Sequence, residues 1–544
     1  MISRRDMILG AFSTLAATSL PAGADAQAVD DLTIEEIATM EKLVGLKLTN
    51  EERKAILPSV KELRKTYAGL RAMKLPNSVP PAFNFVPRGR EPKAAKPKLH
   101  YGDFATGAAP SLHYSTAAEL AALIRSKKLS PVELTQHYLA RIHKHSPQLL
   151  NVITICEETA LKAAKQAENE IMAGRYRGPL HGLPYGIKDL FAAKGYPTTW
   201  GAEPFEQQMF DHDSTVVAKL TAAGAILVAK TSVGALAMDD HWFRGKTKNP
   251  WNTKQGSSGS SAGSASGTAA GLWAFSIGTE TLGSIVSPSF RCRVTGLRPT
   301  FGRVSRAGAM ALSWTMDKVG PICRSAEDCA LVLAAIAGAD PGDPMSLNKP
   351  LDLGKRDLKK LKIGYLAKDE KLDEEDIGDL AEVLAILRKQ GLNPMPVHIS
   401  PPPMETLLIL EVEAAAAFQE ITLDKRADTI SQSLWPNIFK TNQFASGPDF
   451  VNAMRARYLL QDQFEKELGD FDVVLSNAHG SHLLYTTNLT GHPQMLLPLK
   501  RNDKGQQRAV SLIGRLWDEG SVVAVAKAIQ GVTQTHREVP PDFA

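Results

Sequence analysis

The chain has 544 residues, more than one ordinary domain of roughly 100–200 residues, so we expect one large body or two to three smaller units. Hydrophobic residues make up 43% of it, charged residues 22% and aromatic residues 6%, a composition that excludes disordered, fibrous and multi-span membrane proteins. The net charge of +5 is too small over this length to predict a nucleic-acid partner.

Residues 1–26 have the features of an export signal. The motif Ser3-Arg4-Arg5-Asp6 precedes an apolar stretch at residues 7–20, and Ala24-Asp25-Ala26 offers a cleavage site. The paired arginines indicate the twin-arginine type and predict a periplasmic or secreted protein. Because the apolar stretch is shorter than the ~20 residues of a spanning helix, we expect no stable membrane insertion. The alternative is an uncleaved anchor or a chance pair of arginines.

The sequence of residues 27–75 predicts a short helical extension. Two helix starts with the capping-box pattern, Thr33-Ile34-Glu35-Glu36 and Thr49-Asn50-Glu51-Glu52, each precede apolar residues at helical spacing. The segment at residues 76–110 is rich in proline, arginine and lysine. Since such a stretch does not hold a continuous helix, it predicts an extended linker and a domain boundary.

The sequence of residues 111–540 predicts one α/β domain, the body of the protein. Two amphipathic helices are expected after Ser115, the second of them opened by Ser130-Pro131. Short apolar runs at residues 225–229 and 472–475 alternate with helical stretches, a pattern that is typical of strands covered by helices.

The segment at residues 256–267 consists almost entirely of glycine, serine and alanine. By composition alone it predicts a flexible linker. However, it runs directly into an apolar stretch at residues 269–277 and then into Gly278-Thr279-Glu280-Thr281-Leu282-Gly283-Ser284. A linker between two bodies does not continue in this way, so we expect the serines to belong to the body.

No metal site or cofactor is predicted. The four cysteines show neither a disulfide framework nor metal-ligand spacing, and we expect plain buried thiols at Cys156, Cys292, Cys323 and Cys329. The pair His143 and His145 and the cluster Asp239-Asp240-His241 have no HExxH or cysteine–histidine spacing beside them. We interpret these as surface or pocket-lining residues.

Several motifs occur in one order along the chain. The first ones are His181-Gly182-Leu183-Pro184-Tyr185-Gly186-Ile187-Lys188-Asp189, Asn249-Pro250-Trp251-Asn252 and the serine-rich segment. They are followed by Gly296-Leu297-Arg298-Pro299-Thr300, Asp317-Lys318-Val319-Gly320-Pro321, Asn488-Leu489-Thr490-Gly491-His492-Pro493 and Leu512-Ile513-Gly514-Arg515. From Ser115 to about Gln530 the chain therefore resembles the amidase signature family. The resemblance implies a mixed central sheet covered by helices, amide hydrolysis and no cofactor.

The resemblance also implies the roles of the catalytic residues. It makes Ser284 the nucleophile, Ser260 a bridging serine with an unusual cis peptide bond, and Lys188 the base. It further implies that the backbone N–H groups of Thr281, Leu282, Gly283 and Ser284 form the oxyanion hole. A serine hydroxyl is a weak nucleophile until a base takes its proton, and a lysine serves as that base only when it is neutral. We therefore expect Lys188 to be buried.

The chain departs from the family near the nucleophile. The family has aspartate and then two glycines before the nucleophile and an arginine two residues after it, whereas this chain has Glu280, Leu282, Gly283 and Val286. If position 282 required a positive φ, the leucine would be strained there. The loss of the arginine at Val286 favours uncharged, fairly apolar substrates.

Three functions are consistent with the sequence. The first is an exported serine amidohydrolase acting on a small-molecule amide, with ester or carbamate hydrolysis as a further activity. The second is an A-type subunit of an amidotransferase, which an export signal would separate from charged tRNA. The third is a catalytically degenerate periplasmic binding protein, an interpretation that rests on the departures from the family at Glu280 and Leu282. The oligomeric state is open, and a homo-oligomer is one possibility.

The relationship of the N-terminal segment is left open. Residues 33–87 resemble the helical C subunit of the aminoacyl-tRNA amidotransferase, and the alternative is a generic helical extension.

The shape of the substrate pocket is also left open. The pocket is expected to be shaped by loops at residues 238–242, 310–316 and 405–454. Two aromatic residues of the last loop, Trp435 and Phe439, have two interpretations. They line an apolar pocket, or they belong to the core, where large apolar side chains are usually found.

Overall fold

The computed structural model describes residues 32–73, 111–367, 378–477, 481–502 and 505–544. The predicted export signal at residues 1–26 and the whole of the predicted linker at residues 76–110 lie outside the described residues. Both therefore stay predictions.

Eleven of the described strands form one mixed sheet, in the order β1-β3-β2-β8-β10-β9-β14-β15-β13-β11-β12. Two small hairpins, β4 with β5 and β6 with β7, stand beside it. The strands are β1 Val152–Ile155, β2 Pro184–Lys188, β3 Ile226–Thr231, β4 His241–Trp242, β5 Gly245–Lys246, β6 Lys248–Asn249, β7 Asn252–Gly256, β8 Phe275–Glu280, β9 Thr295–Arg298, β10 Lys318–Cys323, β11 Ile363–Leu366, β12 Met395–Val397, β13 Val473–Asn477, β14 Gln494–Leu499 and β15 Arg508–Gly514.

Helices cover the sheet and extend beyond it. They are α1 Ile34–Val44, α2 Asn50–Ala72, α3 Ala117–Arg125, α4 Pro131–Leu149, α5 Glu157–Met172, α6 Thr215–Ala222, α7 Ala262–Ala269, α8 Val286–Cys292, α9 Ala326–Ile336, α10 Leu380–Lys389, α11 Leu408–Ala417, α12 Gln419–Leu423, α13 Trp435–Asn442, α14 Gly447–Leu468, α15 Leu483–Thr490 and α16 Glu519–Thr533. Within the described part of the chain, none of them combines the length and the apolar character that crossing a membrane requires.

The sheet combines parallel and antiparallel pairs. Strand β2 runs parallel to both of its neighbours, β3 and β8, while β10 pairs antiparallel with β8 and with β9. All residues of β2, β8 and β10 are buried, as expected for strands that helices cover on both faces. The predicted α/β class with a mixed central sheet is confirmed.

Local sequence signals placed several helix ends correctly. The side chain of Thr33 accepts a hydrogen bond from the N–H of Glu36, and the Glu36 carboxylate accepts one from the N–H of Thr33. The same reciprocal capping joins Ser130 and Glu133 at the start of α4, where Pro131 occupies the first helical position. These contacts satisfy N–H groups that a helix leaves unpaired at its amino end.

The helices α1 and α2, hereafter the N-terminal helical pair, pack on the helices of residues 404–468 rather than on the central sheet. Ile37, Ile56 and Val60 share a buried cluster with Phe444, which follows α13. At the other end of α2, Leu63, Tyr67 and Leu70 join a cluster with Leu408, Met454 and Leu460. Polar contacts add to this packing, since Lys440 bridges Glu52 (2.7 Å) and Asp428 (2.6 Å).

The aromatic residues Trp435 and Phe439 belong to the core. Both are buried, their rings stack with centroids 5.0 Å apart, and Phe439 stacks on Phe418. The indole N–H of Trp435 donates to the carbonyl of Leu236 at 2.9 Å, which satisfies its one polar atom. Of the two interpretations, the structure favours the core.

We predict that Ile56→Ala releases the N-terminal helical pair from the body. The side chain is fully buried, and truncating such an isoleucine costs about 2–5 kcal/mol. Hydrogen exchange followed by mass spectrometry should show faster exchange throughout residues 34–72, and Lys54→Ala on the exposed face of α2 is the matched control. Unchanged exchange in Ile56→Ala would contradict the docking.

Candidate active site

The sheet topology brings the predicted base and the predicted nucleophile segment to one edge. Lys188 is the last residue of β2, and the neighbouring strand β8 ends at Glu280, just before the turn that contains Ser284. Because β2 and β8 are parallel, their carboxyl ends meet at the same edge of the sheet. This places residues that are almost a hundred positions apart in the sequence next to each other.

The amine of Lys188 is buried within a set of hydroxyl and carbonyl oxygens. Its Nζ lies 2.7 Å from Oγ of Ser260, 2.8 Å from Oγ1 of Thr279 and 3.3 Å from the carbonyl oxygen of Thr279. The side chain is 0% exposed, so its amine is shielded from solvent. The resemblance pointed to Lys188 and Ser260, and the structure places these two side chains in contact.

Burial decides the charge state of this amine. Burial lowers the pKa of Lys188 to about 7, although the carboxylates of Asp317 and Glu280 act in the opposite direction. An ordinary lysine is almost wholly protonated near neutral pH, whereas burial shifts this one towards its neutral form. The expectation that Lys188 is desolvated is confirmed.

The serine-rich segment is an ordered part of the core. The peptide bond between Gly259 and Ser260 is cis, as the resemblance implies. A side chain at position 259 would not fit, because its Cβ would lie 1.7 Å from the carbonyl oxygen of Asp239. Small hydroxyl side chains then let α7 lie against the sheet, where Ser261 donates to the carbonyl of Thr279 (3.0 Å) and Ser264 donates to that of Ile277 (3.0 Å).

Asp239, Asp240 and His241 lie behind this segment. Their potential ligand atoms lie within 4.8 Å of one another. Oδ2 of Asp240 accepts the N–H of Ser258 at 2.8 Å, and Nζ of Lys246 lies 3.8 Å from Oδ1. We interpret Asp240 as a support for the backbone that leads to Ser260.

Ser284 lies on a turn that is tied to the bridging serine. The N–H of Ser261 donates to the carbonyl of Ser284 at 3.2 Å, so the two serine segments adjoin. Ser284 is 9% exposed, which is more than Lys188 or Ser260. In the part of the chain that the structure describes, the N–H groups of residues 281–284 donate no backbone or side-chain hydrogen bond. They are therefore available to a ligand oxygen, as the predicted oxyanion hole requires.

The substitution of leucine for glycine at position 282 causes no backbone strain. Leu282 is not among the residues with a positive φ, whereas Gly283 has a φ of +85°. The position that requires glycine is therefore 283, where this chain has one. The concern that Leu282 would distort the turn is not supported by the backbone geometry.

Glu280 is the hub that holds the turn around the nucleophile. Its Oε2 accepts the N–H groups of Ile285 (2.8 Å) and Val286 (2.9 Å), which follow Ser284 directly. Its Oε1 accepts from the guanidinium of Arg298 (2.6 Å) and from the amide of Asn488 (2.8 Å). Burial would raise the pKa of Glu280, but Arg298 and the hydrogen bonds lower it to about 2. The glutamate that departs from the family pattern is thus fully paired.

A small cavity of about 10 Å³, the room that one water needs, lies beside these residues. The polar residues of its lining are Thr279, Thr281, Arg306, Asp317 and Lys318. The apolar part of the lining consists of Leu190, Ala237, Ala309, Met310, Leu312 and Val319. The predicted loop at residues 310–316 therefore borders the site, and residue 237 lies beside the predicted loop at residues 238–242.

Sequence reasoning missed the contributions of Thr279 and Asp317. Thr279 provides two of the oxygens around Lys188, and Oδ1 of Asp317 accepts the hydroxyl hydrogen of Thr281 at 2.6 Å. Both residues stand inside motifs that the sequence displays. Their positions in the sequence could have indicated these roles. Thr279 lies in β8, two residues before Thr281, and Asp317 directly precedes β10, the strand that pairs with β8.

Comparison with known proteins identifies the relatives of this chain. The sequence profile of the amidase family matches residues 133–523, more than half of the chain. A putative amidase AmiD of Mycobacterium tuberculosis is 34% identical over 458 residues, 78% of this chain and 95% of that protein. The A subunit of the glutamyl-tRNA(Gln) amidotransferase of Thioalkalivibrio sulfidiphilus is 32% identical over 488 residues, 79% of this chain and 100% of that protein. The chain belongs to the amidase signature family.

Solved structures agree with this assignment. The native peptide amidase from Stenotrophomonas maltophilia aligns with a TM-score of 0.69 and 27% identity, over 79% of this chain and 98% of that one. A bacterial aryl acylamidase of the amidase signature family aligns with a TM-score of 0.70 over 79% and 99% of the two chains. At 23% identity the second comparison shows the fold alone. The N-terminal helical pair of this amidase lies before the region that the family profile matches.

We predict that Glu280→Gln destabilises this amidase strongly. The amide would leave the buried guanidinium of Arg298 without a counter-charge, which costs about 3–5 kcal/mol of unfolding free energy. Urea unfolding at pH 7 measures the loss. Glu62→Gln is the control, because Glu62 and Lys65 form an exposed pair of the kind worth about 1 kcal/mol or less.

The pH dependence of this loss has a definite sign. The pKa of Glu280 is depressed from 4.5 to about 2 in the folded state, so its stabilising contribution is complete above pH 4.5. It is lost as the pH falls towards 2. The difference between wild type and Glu280→Gln should therefore shrink across this window. Equal unfolding free energies for Glu280→Gln and Glu62→Gln at pH 7 would contradict the assignment of Glu280 as a hub.

Proposed function

We propose that this protein is a serine amidohydrolase that cleaves a carboxylic amide C–N bond through an acyl-enzyme on Ser284. The observation that carries the proposal is the contact between the buried amine of Lys188 and Oγ of Ser260 at 2.7 Å. Family membership supports amide hydrolysis, and relatives with 30% or higher identity include a putative amidase. The roles of the individual residues are our assignment.

The proton moves along the series Ser284, Ser260, Lys188. The lone pair of neutral Lys188 takes the proton of Ser260, Ser260 takes the proton of Ser284, and Ser284 forms a bond to the carbonyl carbon. When the C–N bond breaks, the proton returns through Ser260 to the leaving amine. Water then repeats the sequence on the ester and releases the acid. Each step conserves protons, so the protein ends in its starting state.

The turn at residues 281–284 stabilises the tetrahedral intermediate. Its backbone N–H groups would donate to the negative oxygen, and losing one such donor typically costs about 3–4 kcal/mol of transition-state stabilisation. Glu280 keeps the adjoining backbone in place, since it accepts the N–H groups of Ile285 and Val286.

We further propose that the substrates are small, uncharged and fairly apolar amides. This proposal is supported by the apolar side chains of Leu190, Met310 and Leu312 beside the site and by Val286 in the position of the family's arginine. The same acyl-enzyme step would open esters and carbamates. The paired arginines Arg4 and Arg5 support export to the periplasm.

Two alternatives make different predictions. The likeness to the A subunit of a glutamyl-tRNA(Gln) amidotransferase suggests a glutamine-dependent activity, which a glutaminase assay tests. A degenerate binding protein was suggested by Glu280 and Leu282. That interpretation loses its support, because Glu280 is fully paired and Leu282 is free of a positive φ.

We predict that a fluorophosphonate forms one adduct on Ser284, because only an activated serine attacks such a phosphorus centre. Intact mass and peptide mapping locate the adduct, which should be absent from Ser284→Ala. Ser287→Ala, three residues further along, is the matched control and should react like wild type. Turnover of an amide panel should be abolished in Ser284→Ala and in Lys188→Ala. Labelling of Ser284→Ala to the same extent, or its undiminished turnover, would contradict the assignment.

We predict that kcat/KM falls as the pH decreases through about 7. The active form of Lys188 is the neutral one, and the pKa of this lysine is lowered by burial to about 7, so activity should be full well above that pH. Below it, kcat/KM should drop by about tenfold per pH unit. Initial rates between pH 5 and 9 with an uncharged amide measure the profile. A flat profile between pH 5 and 8 would exclude Lys188 as the base.

A further inference from the structure

The loop at residues 312–317, hereafter the Asp317 loop, is folded around one carboxylate. Oδ2 of Asp317 accepts the N–H groups of Leu312 (2.8 Å) and Ser313 (3.1 Å), which closes the loop on itself. Oδ1 accepts the hydroxyl hydrogen of Thr281 at 2.6 Å. The loop is therefore joined directly to the turn that carries the proposed oxyanion hole.

A second carboxylate holds the same loop from outside. Oε2 of Glu413, on α11, accepts the hydroxyl hydrogen of Ser313 and the N–H of Thr315 (3.1 Å), and Oε1 accepts the hydroxyl hydrogen of Thr315 (2.9 Å). Glu413 is 6% exposed. Three donors of one loop thus converge on a buried side chain that belongs to a different part of the chain.

The guanidinium group of Arg457 also holds the Asp317 loop. Arg457 of α14 donates from Nη1 to Oγ1 of Thr315 and from Nη2 to its carbonyl oxygen, both at 2.8 Å. Leu312 and Asp317 also line the small cavity beside Thr279 and Thr281. The loop that Glu413 and Arg457 hold is therefore a wall of the site itself.

We propose that Glu413 is a positioning residue of this enzyme, which fixes the Asp317 loop so that Asp317 holds Thr281 beside the nucleophile. The proposal rests on the proposed function, because it assigns Thr281 to the oxyanion hole. A carboxylate suits position 413, because it accepts the N–H of Thr315 and the hydroxyl hydrogens of Ser313 and Thr315, and the oxygen of the Thr315 hydroxyl already accepts from Arg457. A glutamine would present its own N–H groups to a donor, and at least one buried partner would lose its acceptor.

The test is Glu413→Gln, compared with wild type on an uncharged amide. Displacing the loop should lower kcat by about tenfold to hundredfold, because a misplacement of catalytic groups by about 1 Å has effects of this size. The KM should change by less than about twofold. Glu420→Gln is the matched control, because Glu420 lies on the next helix and its carboxylate is exposed and paired with Arg426. It should keep the wild-type kcat. If Glu413→Gln does not fold, Thr315→Val removes one of the same hydrogen bonds and should lower kcat in the same direction.

A double-mutant cycle separates positioning from general stability. If Glu413 acts through Asp317, the variant with both Glu413→Gln and Asp317→Asn should be no less active than Asp317→Asn alone. Thr281→Val replaces Asp317→Asn in the cycle if the latter does not fold. A wild-type kcat in Glu413→Gln, an effect on KM alone, or losses that multiply in the cycle would each overturn the proposal. Failure of the proposed function is recognised separately, because Ser284→Ala would then remain active.

Discussion

The burial of one amine governs the chemistry of this amidase. Lys188 ends a fully buried strand, so its Nζ is surrounded by the oxygens of Ser260 and Thr279 rather than by water. Lowering the pKa of a lysine from 10.5 to about 7 corresponds to about 5 kcal/mol of lost preference for the charged form. A fold that keeps this group needs a large core, and the eleven-stranded sheet with helices around it provides one.

The carboxylates near Lys188 are arranged so that they do not cancel this effect. Asp317 and Glu280 both act to raise the pKa of Lys188, yet each carboxylate is engaged with other donors. Glu280 is paired with Arg298 and two backbone N–H groups, and Asp317 accepts from Leu312, Ser313 and Thr281. Burial is the larger of the opposing effects on the pKa of Lys188, so it prevails over the two carboxylates. The two acidic groups meanwhile fix the backbone around this amine.

The side chains to which we assign catalytic roles could be singled out from the sequence, whereas the residues that support them could not. Lys188, Ser260 and Ser284 stand in motifs with a recognisable order, and the cis peptide bond at Ser260 followed from the resemblance. The side chains that bind Glu280, those of Arg298 and Asn488, lie 18 and 208 residues away, so no local pattern indicates them. For the same reason the sequence suggested that Glu280 was a defect, although it is a fully paired residue.

Local patterns predicted secondary structure better than its packing. The capping boxes at Thr33 and Ser130 marked true helix starts, because capping depends on neighbours three residues away. The sequence did not decide whether Trp435 and Phe439 line a pocket or belong to the core. Their burial depends on Leu236 and Phe418, and the sequence contains no sign of either contact. The linker and the export signal lie outside the described residues and are still predictions.

The N-terminal helical pair shares a buried cluster with the residue next to Asp317. Leu63, Tyr67 and Leu70 of α2 lie in one buried cluster with Met316, the residue before Asp317. The same cluster includes Leu408 of α11 and Leu460 of α14, the two helices that carry Glu413 and Arg457. Because protein interiors are close-packed, the position of α2 and that of the Asp317 loop are constrained by the same side chains. A segment that precedes the family's matched region thus packs against the support of the Asp317 loop, although it does not line the cavity itself.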